Sequence, residues 1–129
     1  MEEKNLPKFI HENEDVIKKI YNSENEYLDD ILNKCLEKIK DYFEKRGKSY
    51  KIGVYLSKDP EIPKREIITI LINTEYNTFE EKMSIWSEIE REIESIFIEF
   101  KLKTATQRQK EKIEEINYML STTVNKTRK

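Results

Sequence analysis

The sequence predicts an α+β fold, because its apolar residues follow two different periods. They recur every three or four positions in the long segments, as in amphipathic helices, and every second position in the short ones, as in strands. Two prolines after the first strand predict an antiparallel hairpin, and a right-handed helical crossover then leads to a parallel third strand. The predicted order is α-β-β-α-β-α. This is a three-stranded mixed sheet with two helices on one face and a C-terminal helix.

The first predicted helix covers residues 24–46. It begins at a capping box formed by Ser23 and Glu26, and Gly47 ends it because glycine tolerates a left-handed backbone. Its apolar side chains form one stripe of Leu28, Ile31, Leu32, Cys35, Leu36, Ile39 and Phe43. The stripe predicts a single buried face in which Cys35 is a core side chain rather than a reactive thiol.

Two strands are predicted next. In the first strand, the apolar residues Ile52, Val54 and Leu56 occupy every second position, and the residues between them are predicted to lie on the opposite, more exposed face. Pro60 and Pro63 interrupt it, because proline lacks an amide donor. The second strand, residues 66–74, is apolar on both faces, which is typical of a strand in the middle of a sheet.

The rest of the chain is predicted as helix, strand, helix and tail. Thr78 and Glu81 form a second capping box, and the helix after it has a predicted buried face of Phe79, Met83, Trp86, Ile89, Ile93 and Ile96. Residues 97–103 alternate at Ile98, Phe100 and Leu102, which predicts the third strand; the alternative is one helix running on to Leu120. A helix over 107–120 and a loose basic tail over 121–129 follow. We therefore predict a compact domain over 1–104, with 1–22 loosely ordered, and a separate C-terminal helix and tail over 105–129.

The doubly apolar second strand bears on function, because the two main helices can cover only one face of the sheet. Three explanations remain open: the C-terminal helix covers the second face, a second copy of the chain covers it, or a different protein does. Soluble monomers seldom expose large apolar patches. We favour association as a homodimer through a predicted contact of Tyr55, Ile67, Thr69, Leu71, Ile113 and Ile116.

Residues that carry enzyme chemistry are scarce. The chain has one histidine, His11, one cysteine and two glycines, which excludes glycine-rich phosphate loops and cysteine–histidine zinc sites. We expect no enzyme activity and no cofactor or metal. The one catalytic pattern left is Glu99 and Lys101, which match half of a metal-dependent nuclease motif with Asp59 as the nearest acidic partner. In a chain this rich in charge, we interpret that match as chance.

Charge is divided unevenly along the chain. Residues 101–129 contain eight Lys and Arg but only three Asp and Glu, whereas the chain as a whole has a net charge of −2. A basic segment can bind phosphates. The alternative function is therefore a nucleic-acid-binding accessory protein that uses Lys101, Lys103, Arg108, Lys110, Lys112, Lys126, Arg128 and Lys129.

Composition also indicates the setting in which the protein works. Abundant Lys and Glu with few Ala and Gly residues resemble a thermophilic surface rich in ion pairs. A single cysteine cannot form an internal disulfide, and the charged first ten residues with Pro7 do not resemble a signal peptide. No apolar segment approaches the ~20 residues that span a bilayer. We expect a cytoplasmic, non-membrane protein that acts by association, with nucleic-acid binding as the alternative.

Overall fold

Three helices and a mixed sheet account for almost all of the residues described by the computed structural model, which are 10–11, 25–62 and 65–127. The strands are β1 (Ile10–His11), β2 (Tyr50–Lys58), β3 (Glu66–Thr74) and β4 (Leu120–Lys126). The helices are α1 (Leu28–Arg46), α2 (Phe79–Leu102) and α3 (Gln107–Met119). The predicted class, α+β with a mixed sheet, is confirmed.

The sheet has the order β1-β2-β3-β4. As predicted, β2 and β3 form an antiparallel hairpin, and the doubly apolar β3 lies between two long neighbours. The strand on the other side of β3 runs parallel to it, which was also predicted. However, that neighbour is β4 at residues 120–126, not residues 97–103. Residues 97–102 instead continue α2, as in the alternative interpretation, although α2 ends at Leu102 and does not run on to Leu120.

The C-terminal segment is part of the sheet. The predicted loose basic tail over 121–129 is wrong for 121–126, because residues 120–126 pair along β3 from Ile68↔Leu120 to Thr74↔Lys126. Val124 of β4 is completely buried. The division of the chain at residue 104 therefore does not separate a core from a tail.

One hydrophobic cluster joins the helices to the sheet. Alternate residues of β2 and β3, among them Ile52, Val54, Ile68, Ile70 and Ile72, are buried together with the apolar stripe of α1. Ile113 and Ile116 of α3 are completely buried in the same cluster. Cys35 is also fully buried, as predicted, and burial raises the pKa of its thiol to about 12.

The ends of α1 are only partly as predicted. Gly47 adopts a left-handed backbone (φ 62°), and the amides of Gly47 and Lys48 donate to the carbonyls of Glu44 and Phe43, which is a Schellman arrangement. The helix begins at Leu28, where Asn25 accepts a bond from the Tyr27 amide (3.1 Å). Ser23, the predicted cap, lies outside the described residues.

The buried face of α2 is rotated from the predicted one. Thr78 caps the helix by accepting from the Glu81 amide (3.1 Å), as predicted. However, Phe79 is 72% exposed and Met83 43% exposed, so neither belongs to the core. Ile85 and Phe97 are buried in addition to Ile89, Ile93 and Ile96. None of the three described helices combines the length and apolarity that a membrane-spanning helix needs.

Candidate functional site: the open face of the sheet

The sheet face directed away from the buried cluster is formed mainly by alternate residues of β2, β3 and β4, and His11 of the short strand β1 pairs with Gly53 at its edge. Register places Tyr55 beside Thr69, Gly53 beside Leu71, and Lys51 beside Asn73. The face continues onto β4, where Ser121, Thr123 and Asn125 pair with Thr69, Leu71 and Asn73. We call this set the open face: Lys51, Gly53, Tyr55, Ser57, Ile67, Thr69, Leu71, Asn73, Ser121, Thr123 and Asn125. Apart from Gly53, each of these residues is exposed or half-buried.

Tyr55 lies flat on the open face. A Cβ atom placed on Gly53 would come within 2.8 Å of Cε2 and 3.0 Å of the hydroxyl oxygen of Tyr55, so the tyrosine ring occupies the space above the glycine. Residues two apart on a strand share a face, and the absence of a side chain at 53 lets the ring fold back along β2. The ring covers Gly53 and remains 41% exposed. An aromatic surface is therefore presented to solvent beside the centre of the sheet.

A polar groove of about 650 Å³ lies at the end of the open face where β2 begins and β4 ends. It is lined by Lys51, Leu71, Asn73, Asn125, Lys126 and Thr127. None of the ion pairs between described residues involves Lys51 or Lys126, whereas Lys34, Lys38 and Lys48 each have a carboxylate within 4.0 Å. Two ammonium groups, two amides and a hydroxyl are suited to an anionic ligand with hydrogen-bonding edges.

The predicted homodimer contact is split by the fold. Tyr55, Ile67, Thr69 and Leu71 share the open face, as predicted. Ile113 and Ile116 do not, because both are completely buried in the cluster on the helical side. The same burial overturns the explanation in which the C-terminal helix covers the second face of the sheet.

The predicted basic segment does not form one surface. Lys101, Lys103 and Lys112 lie near the hairpin between α2 and α3, and they pair with Glu114, Glu99 and Glu26. Arg108 and Lys110 of α3 are exposed nearby. Lys126 lies at the opposite end of α2 from these residues. It pairs with Thr74, the last residue of β3, and α2 starts only five residues after Thr74. Because a 24-residue helix is roughly 36 Å long, Lys126 is far from the lysines at the end of α2. Arg128 and Lys129 lie outside the described residues.

The nuclease-like pattern does not lie on a strand. Glu99 and Lys101 are in α2, and the Lys103 ammonium, 2.9 Å from Glu99, lowers the pKa of that carboxyl. Asp59 serves the β2–β3 turn: it accepts from the Glu61 amide (2.8 Å) and pairs with Arg65 (3.3 Å). Within the described part of the chain, no three acidic, histidine or cysteine residues are grouped so that they could hold a metal ion.

Sequence reasoning missed most of the groove. Lys51, Asn73, Asn125 and Thr127 were not singled out, because no local pattern brings residues 51, 73 and 125 together. The Gly53–Tyr55 spacing on a predicted strand was the one signal available, since it places an aromatic side chain and a gap on the same face.

Comparison with known proteins gives no match: no family model, no curated protein and no solved structure is significantly similar to this chain.

Proposed function

We propose that this protein is a non-catalytic module that binds single-stranded nucleic acid on the open face of its sheet. The observation that carries the proposal is the exposed ring of Tyr55 lying over Gly53, beside a groove whose two lysines form no ion pair with any residue that the structure describes. Proteins that bind single strands combine aromatic side chains, on which bases stack, with cations that follow the phosphates. Asn73 and Asn125 add donors and acceptors for base edges.

The local charge supports this proposal better than the net charge does. The chain carries 26 Asp and Glu residues, but none of the eleven residues of the open face is acidic. Screening at physiological salt limits the influence of exposed charges to ~8 Å, so the carboxylates of the helical side weigh little on a ligand bound at the sheet. A flat face and a single aromatic platform suit an unpaired strand, whose bases are free to stack, better than a duplex.

A second candidate function is association as a homodimer through the same face. It is supported by Ile67 and Leu71, which are half-buried apolar side chains on the otherwise polar surface next to Tyr55. Its weakness is composition, since Thr, Ser, Asn and Lys make up most of the face and the cores of homodimer interfaces are largely apolar. In either case we propose a cytoplasmic protein, because the one thiol, Cys35, is free and buried.

The test is fluorescence anisotropy with labelled single-stranded RNA and DNA of about 10 nucleotides, within the range that such sites cover. We expect the wild type to bind, and Tyr55→Ala to weaken binding by roughly 5- to 150-fold, the loss of one stacked base at about 1–3 kcal/mol. Tyr55→Phe is the matched control, because it keeps the ring. Equal affinities for wild type and Tyr55→Ala would refute the proposal.

A further inference from the structure

The outer edge of β4, together with an apolar strip on α2, forms a second surface. Within the part of the chain that the structure describes, β4 pairs with β3 alone and is an edge of the sheet. It is seven residues long, contains no proline, and has its single charge at its last residue, Lys126. Edge strands of this kind are templates for pairing, and proteins that avoid pairing interrupt them with charges or prolines.

The register shows which backbone groups of β4 are free. The Thr127 amide donates to the Thr74 carbonyl (2.9 Å), so residue 127 directs its amide toward β3. Because successive residues of a strand direct their backbone groups to opposite sides, 121, 123 and 125 also bond to β3. Thr122, Val124 and Lys126 therefore direct their N–H and C=O groups away from the sheet.

The apolar strip consists of Phe79, Met83 and Trp86, one helical turn apart on α2. Trp86 holds the strip at β4, because its indole Nε1 donates to the Thr122 hydroxyl (3.0 Å) and that hydroxyl donates to Glu90 (2.6 Å). Phe79 and Met83 are 72% and 43% exposed. They lie toward the end of the sheet at which β4 ends, since α2 starts there.

We propose that two copies of this chain pair through their β4 edges as an antiparallel, two-fold symmetric dimer. A two-fold axis at Thr123 places Thr122 opposite Val124 of the second copy, so that the outward-directed amides and carbonyls of these two residues meet one another. The pairing stops short of Leu120, because the Leu120 amide donates to the Ile116 carbonyl at the end of α3. A second copy is the occupant that this edge fits best, because the pairing is self-complementary and closes after two chains.

The apolar strips support the same arrangement. Trp86 lies at the level of Thr122, and Met83 is about 4.5 Å further along the helix, at the level of Val124. The axis at Thr123 therefore places Met83 of one copy beside Trp86 of the other.

This dimer goes beyond the proposed function and does not depend on it. The two-fold axis of antiparallel edge pairing is perpendicular to the sheet, so both open faces lie on the same side. The dimer would present two Tyr55 platforms on one continuous surface. It would allow self-association without covering the face proposed to bind nucleic acid.

The test is the molar mass of the full chain by size-exclusion chromatography with light scattering. We expect the wild type to have twice the chain mass of 15.6 kDa. Met83→Glu should weaken the dimer at least tenfold, because it brings two carboxylates together near the axis. The matched control is Ile98→Glu, which changes a residue of the same helix that is 51% exposed and lies roughly 22 Å from Met83; it should leave the mass unchanged.

Hydrogen exchange provides the second readout. In the wild type, the amides of Thr122, Val124 and Lys126 should be protected, and Met83→Glu should expose them while 121, 123 and 125 stay protected by β3. A wild type that remains monomeric at every concentration would overturn the proposal. So would a dimer that Leu71→Glu dissociates and Met83→Glu does not. Neither result bears on RNA binding by Tyr55, which anisotropy measures separately.

Discussion

The ring of Tyr55 occupies the space that a side chain at Gly53 would need, with only 2.8 Å between its Cε2 atom and an ideal Cβ at position 53. The two residues are therefore coupled: the glycine allows the tyrosine to lie flat, and the tyrosine buries the backbone of the glycine. This pairing turns one position of the sheet into an exposed aromatic surface, on which the proposed function depends.

Gly53→Ala tests that coupling. The methyl group would push the ring off the sheet, which costs some stability. Alanine in a strand is more stable than glycine by roughly 0.5–1 kcal/mol, which offsets that cost. The free energy of unfolding should therefore change by less than about 1 kcal/mol. Nucleic-acid affinity should fall as the ring leaves its position. Urea unfolding and anisotropy measure the two effects.

A double-mutant cycle is the control for that result. In a Tyr55→Ala background, Gly53→Ala should have no further effect on affinity, because there is no ring left to displace. Additive losses would contradict the account, since they would mean that Gly53 acts independently of Tyr55.

The dependence of binding on salt tests the two lysines of the groove. If Lys51 and Lys126 each neutralise one phosphate, the logarithm of the association constant should fall with the logarithm of salt concentration at a slope of about −1.4. Lys51→Gln or Lys126→Gln should reduce that slope by about 0.7. Lys110→Gln, at an exposed site on α3, should leave it unchanged. A slope that responds to Lys110 and not to Lys51 would place the phosphates at the α2–α3 hairpin instead.

Leu71→Glu separates the two candidate functions of the open face. Leu71 lines the groove, so a carboxylate there should repel phosphates and weaken nucleic-acid binding, while the molar mass of the protein stays unchanged. Fold retention can be checked by circular dichroism, because the side chain is only half-buried. If the variant instead halves the molar mass, the face-to-face homodimer is the better account.

Cys35 makes the stability of the fold depend on alkaline pH. Burial raises the pKa of its thiol from 9.0 to about 12, so above pH 9 the unfolded chain loses a proton that the folded chain keeps. The free energy of unfolding should therefore fall by about 1.4 kcal/mol per pH unit through that window from this group alone. Burial and the hydrogen bond to Glu88 also raise the pKa of Tyr42, which adds to the loss above pH 10.

Cys35→Ala is the control for the pH effect. Its free energy of unfolding, measured in urea from neutral pH to pH 10, should decline less steeply than that of the wild type above pH 9. In the folded wild type at neutral pH, the thiol should also resist a thiol-specific reagent until the protein is unfolded. Parallel stability curves for the two proteins would contradict the assignment.

The sequence predicted the hairpin and the helices well, because their signals are local. Gly47 ends α1, Thr78 caps α2, and the alternation of apolar residues marks β3; each of these signals is contained within a few residues. Residues 97–103 misled the prediction because three alternating apolar residues also fit a helix: Ile98 and Leu102 are in fact 51% and 81% exposed at the end of α2, while Ile96 and Phe97 are buried. So short a run does not distinguish the two periods.

β4 could not be predicted from its own residues. The segment Leu120–Lys126 is mostly polar, and only Val124 and Thr122 are buried. This segment forms a strand because it pairs in parallel with β3 and because α3 ends directly before it. The pairing depends on residues far away in the sequence, so the segment itself does not reveal it. The groove was missed for the same reason, since its residues come from three strands.

Chemical-shift mapping by nuclear magnetic resonance tests the central claim most directly. On titration with single-stranded RNA, the account predicts that the amide signals of Lys51, Gly53, Tyr55, Leu71, Asn73 and Asn125 shift, while those of 101–112 stay in place. Shifts confined to 101–112, or no shifts at all, would contradict the claim that the open face of the sheet is the binding surface.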